Sequence, residues 1–288
     1  MTARRSGGRG WALLGLTPFS AYVVLFLAVP TVLALGTGFF DGDGALTLDN
    51  LTGLFEPAVL RSFADLLWLS GLTAVVGAIA GALICFALLG TREDGWLRTG
   101  ISAASGVLAQ FGGVMLAFAF IALIGIQGLL TQWLLRTFEV DIYEGGVWLY
   151  QVPGLILPYL YFQIPLMVIT FMPAMSGLKP QWAEASATLG GTGAVFWWRI
   201  GFPVLAPSFL GSLLLLFANA FSSYGTAAAL VSQGAPIVPL QVRAALISET
   251  VLGRENMAGA LAIGMIVVMV VLMTAYSALQ SRAERWMR

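Results

Sequence analysis

Leu66-Leu-Trp-Leu-Ser-Gly-Leu-Thr-Ala-Val-Val-Gly-Ala-Ile-Ala-Gly-Ala-Leu-Ile-Cys85-Phe-Ala-Leu-Leu-Gly-Thr91 is a run of 26 residues without a charge. An α-helix needs about 20 apolar residues to cross the ~30 Å hydrocarbon layer of a bilayer, so this stretch suffices for one span. Its continuity argues against a membrane strand, which needs only about 9–11 residues and alternates in polarity. Five further charge-free windows lie on either side of it, at 10–40, 99–135, 145–178, 200–242 and 256–281. The window 200–242 is the longest, but Gln233-Gly234-Ala235-Pro236 and then Pro239 interrupt it and leave one apolar run. The sequence therefore predicts an all-α integral membrane protein with six transmembrane helices, near 11–36, 64–90, 101–125, 147–174, 205–231 and 256–280, as a single domain over 1–288. The more polar residues 126–146 predict a loop with a short surface helix around Thr131–Phe138.

Composition agrees. Of 288 residues, 59% are hydrophobic and 10% charged, and mean hydropathy is +0.89, whereas a soluble domain carries about 25% charged residues. The 14 basic residues balance 14 acids, which leaves no basic footprint for nucleic acid. With no histidine there is no Ser-His or Cys-His nucleophile pair and no His-ligated metal. Cys85 is the only cysteine, so disulfide frameworks and thiolate clusters are excluded, and it reads as a small apolar residue, buried or lipid-facing. The only lysine, Lys179, lies in Leu178-Lys179-Pro180, away from any Gly-Lys-Ser/Thr phosphate cradle.

The charges sort by side. The N-terminal tail, the second-to-third connection, the fourth-to-fifth connection and the C-terminal tail hold ten basic residues and four acids, while the alternate connections hold four basic residues and ten acids. Lys and Arg concentrate on the cytoplasmic side, so both termini are expected in the cytoplasm, as an even number of spans requires. The first apolar stretch runs from Trp11 past Leu35, longer than the ~7–15-residue core of a signal peptide, and predicts an uncleaved helix.

One cytoplasmic connection stands apart, Ser176-Gly-Leu-Lys-Pro180-Gln-Trp-Ala-Glu184-Ala-Ser-Ala-Thr-Leu-Gly190-Gly-Thr-Gly-Ala-Val-Phe-Trp-Trp-Arg-Ile200-Gly-Phe-Pro203. Pro180 suits a first helical turn, Gly190 and Gly191 would end that helix in a sharp turn, and a second short helix over about 192–200 would stop before Pro203. From physics alone this is either a connecting hairpin at the membrane surface or a docking element, with small Ala183, Ala185 and Ala187 and apolar anchors Trp182, Leu189, Phe196 and Ile200.

Glu184-Ala185-Ser186, Gly190, Ile200 and Gly201-Phe202-Pro203 closely resemble the EAA motif, E-A-A-x-x-x-G-x(9)-I-x-L-P, of binding-protein-dependent ABC transporter permeases of the type I importer class. Glu184, Ala185, Gly190, Ile200 and Pro203 match, while Ser186 and Phe202 replace an alanine and a leucine. The resemblance implies that residues 176–204 form a coupling-helix hairpin between helices four and five that sits on a separate ATPase. Gly190 would then turn the chain, Glu184 contact the ATPase or brace the elbow, and Pro203 start the return into helix five. It further implies two ATP-binding subunits holding ATP and Mg, a second permease subunit, identical or homologous, and an extracytoplasmic solute-binding protein. No cofactor is expected in this chain itself, and its place would be the bacterial inner membrane. The stretch 217–229 with 237–243 resembles the branch of polyamine, 2-aminoethylphosphonate and ferric-iron permeases.

No span interior beyond Asp65 carries an ionised residue, so a charged relay such as an ion-coupled carrier uses is not expected, and an intramembrane enzyme lacks its catalytic cluster. Polar groups remain. Asn219, Ser222, Ser223 and Thr226 recur at spacings of three and four, which would place them on one face, with Tyr224 and, on helix four, Gln163 beside them. That face lines a solute route or makes interhelical hydrogen bonds. Gly77, Gly81, Gly106, Gly112 and Gly113 are expected at close helix crossings.

Overall fold

In a computed structural model, residues 8–92, 94–231, 237–247 and 256–286 are described, with side chains from 16 to 278. The predicted break at Gln233–Pro236 lies outside these residues, as do charges at Arg4, Arg5, Glu93, Glu249, Arg254, Glu255 and Arg288. Among the described residues the chain is helical, with no strand beyond one bridge between Phe40 and Leu46. Six helices are long and apolar enough to cross a membrane: Leu16–Phe39, Pro57–Leu89, Gly113–Phe138, Val152–Ser176, Gly193–Phe221 and Met257–Ala278.

In finer detail α1 runs as Gly8–Val23 and Val29–Gly36 through a π turn at Val24–Ala28. Then follow α2 (Pro57–Leu89), α3 (Trp96–Gln110), α4 (Gly113–Ile124), α5 (Leu129–Phe138), α6 (Ile156–Ser176), α7 (Pro180–Thr188), α8 (Gly193–Phe196), α9 (Phe202–Phe221), α10 (Gly225–Leu230), α11 (Val238–Leu246) and α12 (Met257–Trp286). The chain divides into two compact units, residues 1–60 with 241–267, and residues 61–240 with 268–288.

In the first unit, Asn256 ties the segment after α1. Its side-chain amide donates to the carbonyls of Phe40 at 2.9 Å and Asp41 at 2.8 Å, and Asn50 donates to Phe40 as well. A side chain at Gly38, just after α1, would meet the backbone of Ala260 at 2.7 Å, and one at Gly259 would meet the carbonyl of Ala34 at 2.7 Å, so the end of α1 and α12 meet backbone to backbone.

The second unit holds the main core. Ala74, Ala78, Cys85 and Leu88 of α2 pack with Met167, Val168, Phe171, Met172 and Met175 of α6 and Leu205 and Leu216 of α9. Cys85 is buried, and its thiol donates to Val168 O at 3.7 Å. Gly81 and Gly77 let α2 approach α6: a Cβ at Gly81 would lie 2.5 Å from Met167 Cβ, and one at Gly77 3.0 Å from Gln163 Cβ. At Gly106 and Gly112 a Cβ would meet nothing within 4 Å, so glycine is not needed there for space; at Gly113 the close approach comes from Gly225, where a Cβ would lie 3.1 Å from Gly113 Cα.

Three sequence expectations need correction. The predicted continuous helix at 101–125 is two helices, α3 and α4, because the backbone leaves helical geometry at Phe111 and Gly112 and Gly113 takes φ +70°, a conformation glycine adopts without steric cost. The predicted helix at 205–231 likewise ends at Phe221 and resumes at Gly225. Asn219, Ser222, Ser223 and Thr226 therefore do not share one continuous helical face.

Lastly, the second short helix does not stop before Pro203. It passes through a π turn, Trp197–Gly201, directly into α9. A proline ring collides with the carbonyl four residues earlier, which for Pro203 belongs to Arg199, the middle of that π turn. Pro30 repeats the arrangement, with Phe26 in the middle of Val24–Ala28. Widening the helix to i→i+5 bonding, as in the bonds from Phe202 N–H to Trp197 O and from Val29 N–H to Val24 O, makes room for each ring without ending the helix.

Candidate functional site: an elbow and a joint

The sequence-predicted residues fall into two groups, both within the second unit. The first is an elbow. Pro180 occupies the first turn of α7, where its missing N–H costs nothing. Gly190 has φ +80° and reverses the chain. Gly191 is held by size: a Cβ there would lie 2.5 Å from Ser186 Oγ and 2.8 Å from Ser186 O, and its own N–H donates to that carbonyl at 2.8 Å. Thr192 then caps α8, its hydroxyl accepting from Val195 N–H at 3.5 Å.

Glu184, Ala185, Gly190 and Pro203 are exposed, and Ser186 and Ile200 half-buried. Ala185, Ser186 and Ile200 line a concavity of ≈460 Å³ between α7 and the helix that starts at Gly193, together with Trp182, Leu189 and Arg199. Glu184, Gly190 and Pro203 are not in its lining.

The second group is a joint between two interrupted helices. The break at Phe111–Gly112 meets the break at Ser222–Tyr224 through Thr226, which is fully buried. Gly113 N–H donates to Thr226 Oγ1 at 3.0 Å, and the same hydroxyl donates to Gly113 O at 3.2 Å. Gly225 permits the approach, since a Cβ there would sit 3.1 Å from Gly113 Cα. Tyr159 of α6 braces the joint by donating to Ser223 O at 3.0 Å, and Phe111 packs edge-on to Tyr161 with centroids 6.3 Å apart.

Asn219, Ser222 and Tyr224 are exposed beside this joint and Ser223 is half-buried. Ser222 Oγ bonds back to Ala218 O at 2.9 Å. The two breaks lie where the candidate span Gly113–Phe138 begins and the candidate span Gly193–Phe221 ends, with these polar side chains exposed beside them.

Gln163 belongs elsewhere. It is fully buried, its amide donating to Thr73 Oγ1 of α2 at 2.8 Å, while its Oε1 has no partner. Sequence reasoning assigned no site role to Tyr159, expected Gly113 only at a close crossing, and placed Thr226 on a polar face that lines a route or makes interhelical hydrogen bonds; the second of these is what Thr226 does. The Gly112-Gly113 doublet inside an apolar run was the available signal for one half of the joint.

No protein-family model matches the sequence. The ferric transport system permease protein of Actinobacillus pleuropneumoniae is 23% identical over 205 residues, 70% of this chain and 29% of that protein. The chain thus spans less than a third of the length of the ferric relatives it matches. The spermidine/putrescine transport system permease protein of Haemophilus influenzae is 22% identical over 264 residues, 89% of each chain. In fold, the chain resembles a subunit of a bacterial ABC transporter involved in the import of the acidic polysaccharide alginate, with a TM-score of 0.77, 19% identity, and 95% and 96% of the two chains covered. In sequence the chain is similar to these transport-system permease proteins, and in fold to a chain of an ABC transporter.

Proposed function

We propose that this chain is the permease subunit of an ATP-driven ABC importer, forming the route for a small solute delivered by an extracytoplasmic binding protein. The observation that carries the reading is the elbow: the EAA-like residues fold into two short helices turned at a left-handed Gly190, the first following the fourth candidate span and the second opening the fifth, Gly193–Phe221. Both termini and the elbow lie on the cytoplasmic side, as the Lys and Arg asymmetry supports. There the elbow docks on a separate ATPase, two copies of which close on ATP and Mg. Glu184, Ala185, Ser186, Gly190, Ile200 and Pro203 are the coupling residues, and a second permease completes the pair in the bacterial cell membrane.

Closure of the ATPase pair would drive α7 and α8 as a rigid bend. Because the chain continues through the π turn into α9 without a loop, displacement at the elbow passes along α9 to the joint. The route lies along the exposed Asn219, Ser222 and Tyr224 with Ser223. These are neutral hydrogen-bonding groups, suited to a polar solute. Relatives named for ferric iron and for spermidine and putrescine make an iron or polyamine type of solute the first to test, with 2-aminoethylphosphonate beside them.

The test is co-purification of the chain with a nucleotide-hydrolysing subunit, followed by solute-stimulated ATP hydrolysis in liposomes. If Gly190 and Glu184 substitutions left both association and stimulation intact, the coupling role would be lost.

A further inference from the structure

The inner wall of the elbow has a chemistry of its own. The ≈460 Å³ concavity is walled by Trp182, Leu189, Val195, Ile200 and Val204, and Arg199 is the only charged residue in its lining. Leu189 is 89% exposed, so this chain leaves the space open. Its shape is preset, since the Ser186–Gly191 contact fixes the bend, Thr192 caps α8, and the π turn that carries Arg199 runs without a loop into the helix of Pro203.

A preformed apolar pocket with one guanidinium is suited to a carboxylate on an apolar stem. Arg offers a planar fork that can hold both carboxylate oxygens, and pockets of this kind anchor interfaces because little ordering is lost on filling them.

We propose that this socket receives an acidic side chain flanked by apolar residues, projecting from the ATP-binding subunit, and that Arg199 is the specificity-determining contact. The proposal rests on the reading of the elbow as the ATPase-facing element and adds a second, inverse contact to it. The acid Glu184 lies outside the socket and the cation Arg199 inside. The two sides of the bend therefore carry opposite charge, and a slipped docking register would oppose like charges, which costs binding.

The chain's lysine content gives a direct test. Lys179→Arg removes the only lysine, and adding Arg199→Lys then puts a single lysine amine in the socket. A water-soluble carbodiimide, applied to the full detergent-solubilised complex, joins an amine to a touching carboxylate without a spacer. The expected product is a covalent permease–ATPase species that maps by mass spectrometry to residue 199 and is absent from Lys179→Arg alone. Arg199→Glu should weaken ATPase association by about tenfold or more, the equivalent of ~1.4 kcal/mol, with unchanged membrane yield.

An adduct at 199 to another permease copy or to the solute receptor overturns the proposal. So does no adduct, or wild-type association of Arg199→Glu, while the ATPase still co-purifies; the functional reading survives those results. Failure of any ATP-binding subunit to co-purify with the unaltered chain overturns both.

Discussion

The elbow at residues 180–203 and the joint at 111–113 with 222–226 both interrupt helices, and they do so by opposite means. At the elbow each step is set by a residue acting on its own neighbourhood: Pro180 starts a helix, Gly190 turns left-handed, Gly191 fits against Ser186, and Thr192 caps the next helix. At the joint the decisive contact runs between residues 113 positions apart, with one threonine hydroxyl satisfying both backbone groups of Gly113. A local bend can be moved as a rigid body, while a tertiary joint holds two helix ends together and yields only when that contact does. On this view the elbow transmits and the joint responds, and substitutions should separate the two.

The largest effect is expected at Gly191. A valine there drives its Cβ into Ser186, and although the hydroxyl can rotate away, the backbone carbonyl at 2.8 Å cannot. Overpacking of this kind costs about 1–3 kcal/mol, equivalent to about 5–150-fold in a coupling equilibrium. Gly191→Val should therefore abolish most solute-stimulated ATP hydrolysis in liposomes while membrane yield and helix content stay unchanged. Full stimulation in this variant would show that the bend angle does not matter.

Gly190 comes next and tests the same region by a different force. Nothing lies within 4 Å of a Cβ there, so the penalty is the positive φ alone. Left-handed backbone costs an ordinary residue about 1–2 kcal/mol, and asparagine visits it more readily. Stimulated hydrolysis should then fall in the order glycine, asparagine, alanine. Equal losses for Asn and Ala would mean that φ at 190 is not what sets the elbow.

This contrast also explains what could be read in advance. The number of spans was legible because a bilayer demands long apolar runs, although the third lies at Gly113–Phe138 rather than 101–125, and the elbow was legible because Pro180, Gly190 and Gly191 act over a few residues. The π turns were not, since the same proline that ends a helix in isolation can be absorbed by widening it, as at Pro203 and Pro30. The joint was hidden for a further reason. The polar spacing 219, 222, 223, 226 fits a helix, and the contacts that hold the chain where that helix ends, of Thr226 with Gly113 and of Tyr159 with Ser223, come from distant residues. Sequence periodicity carries no record of a partner 113 residues away.

Thr226→Val breaks the joint with almost no change in shape. It removes both hydrogen bonds to Gly113, and such interhelical bonds are worth on average about 0.6 and up to ~1.7 kcal/mol each in membrane proteins. The purified protein should unfold at a lower temperature than wild type, and Thr226→Ser should restore it. The elbow variants should lower that temperature too, through local strain that serine at 226 does not touch, so a joint variant with normal thermal stability would dissolve the distinction between the two regions.

The smallest effect is expected at Gln163, and it is informative for that reason. As a polar residue in an apolar span it reads from sequence as part of the solute route, yet it lies fully buried where α2 crosses α6, bonded to Thr73 above Gly77. Gln163→Leu gives up one interhelical hydrogen bond of about 0.6 kcal/mol. It also removes a buried Oε1 that has no partner, whose desolvation costs about 1–3 kcal/mol, so the lost bond is at least offset and the unfolding temperature should not fall. Asn219→Ala, at an exposed position beside the joint, should likewise spare stability but raise the KM for transport. If Gln163→Leu raised KM as much as Asn219→Ala did, solute would have to reach the α2–α6 contact, and the route would run deeper than the exposed face of α9.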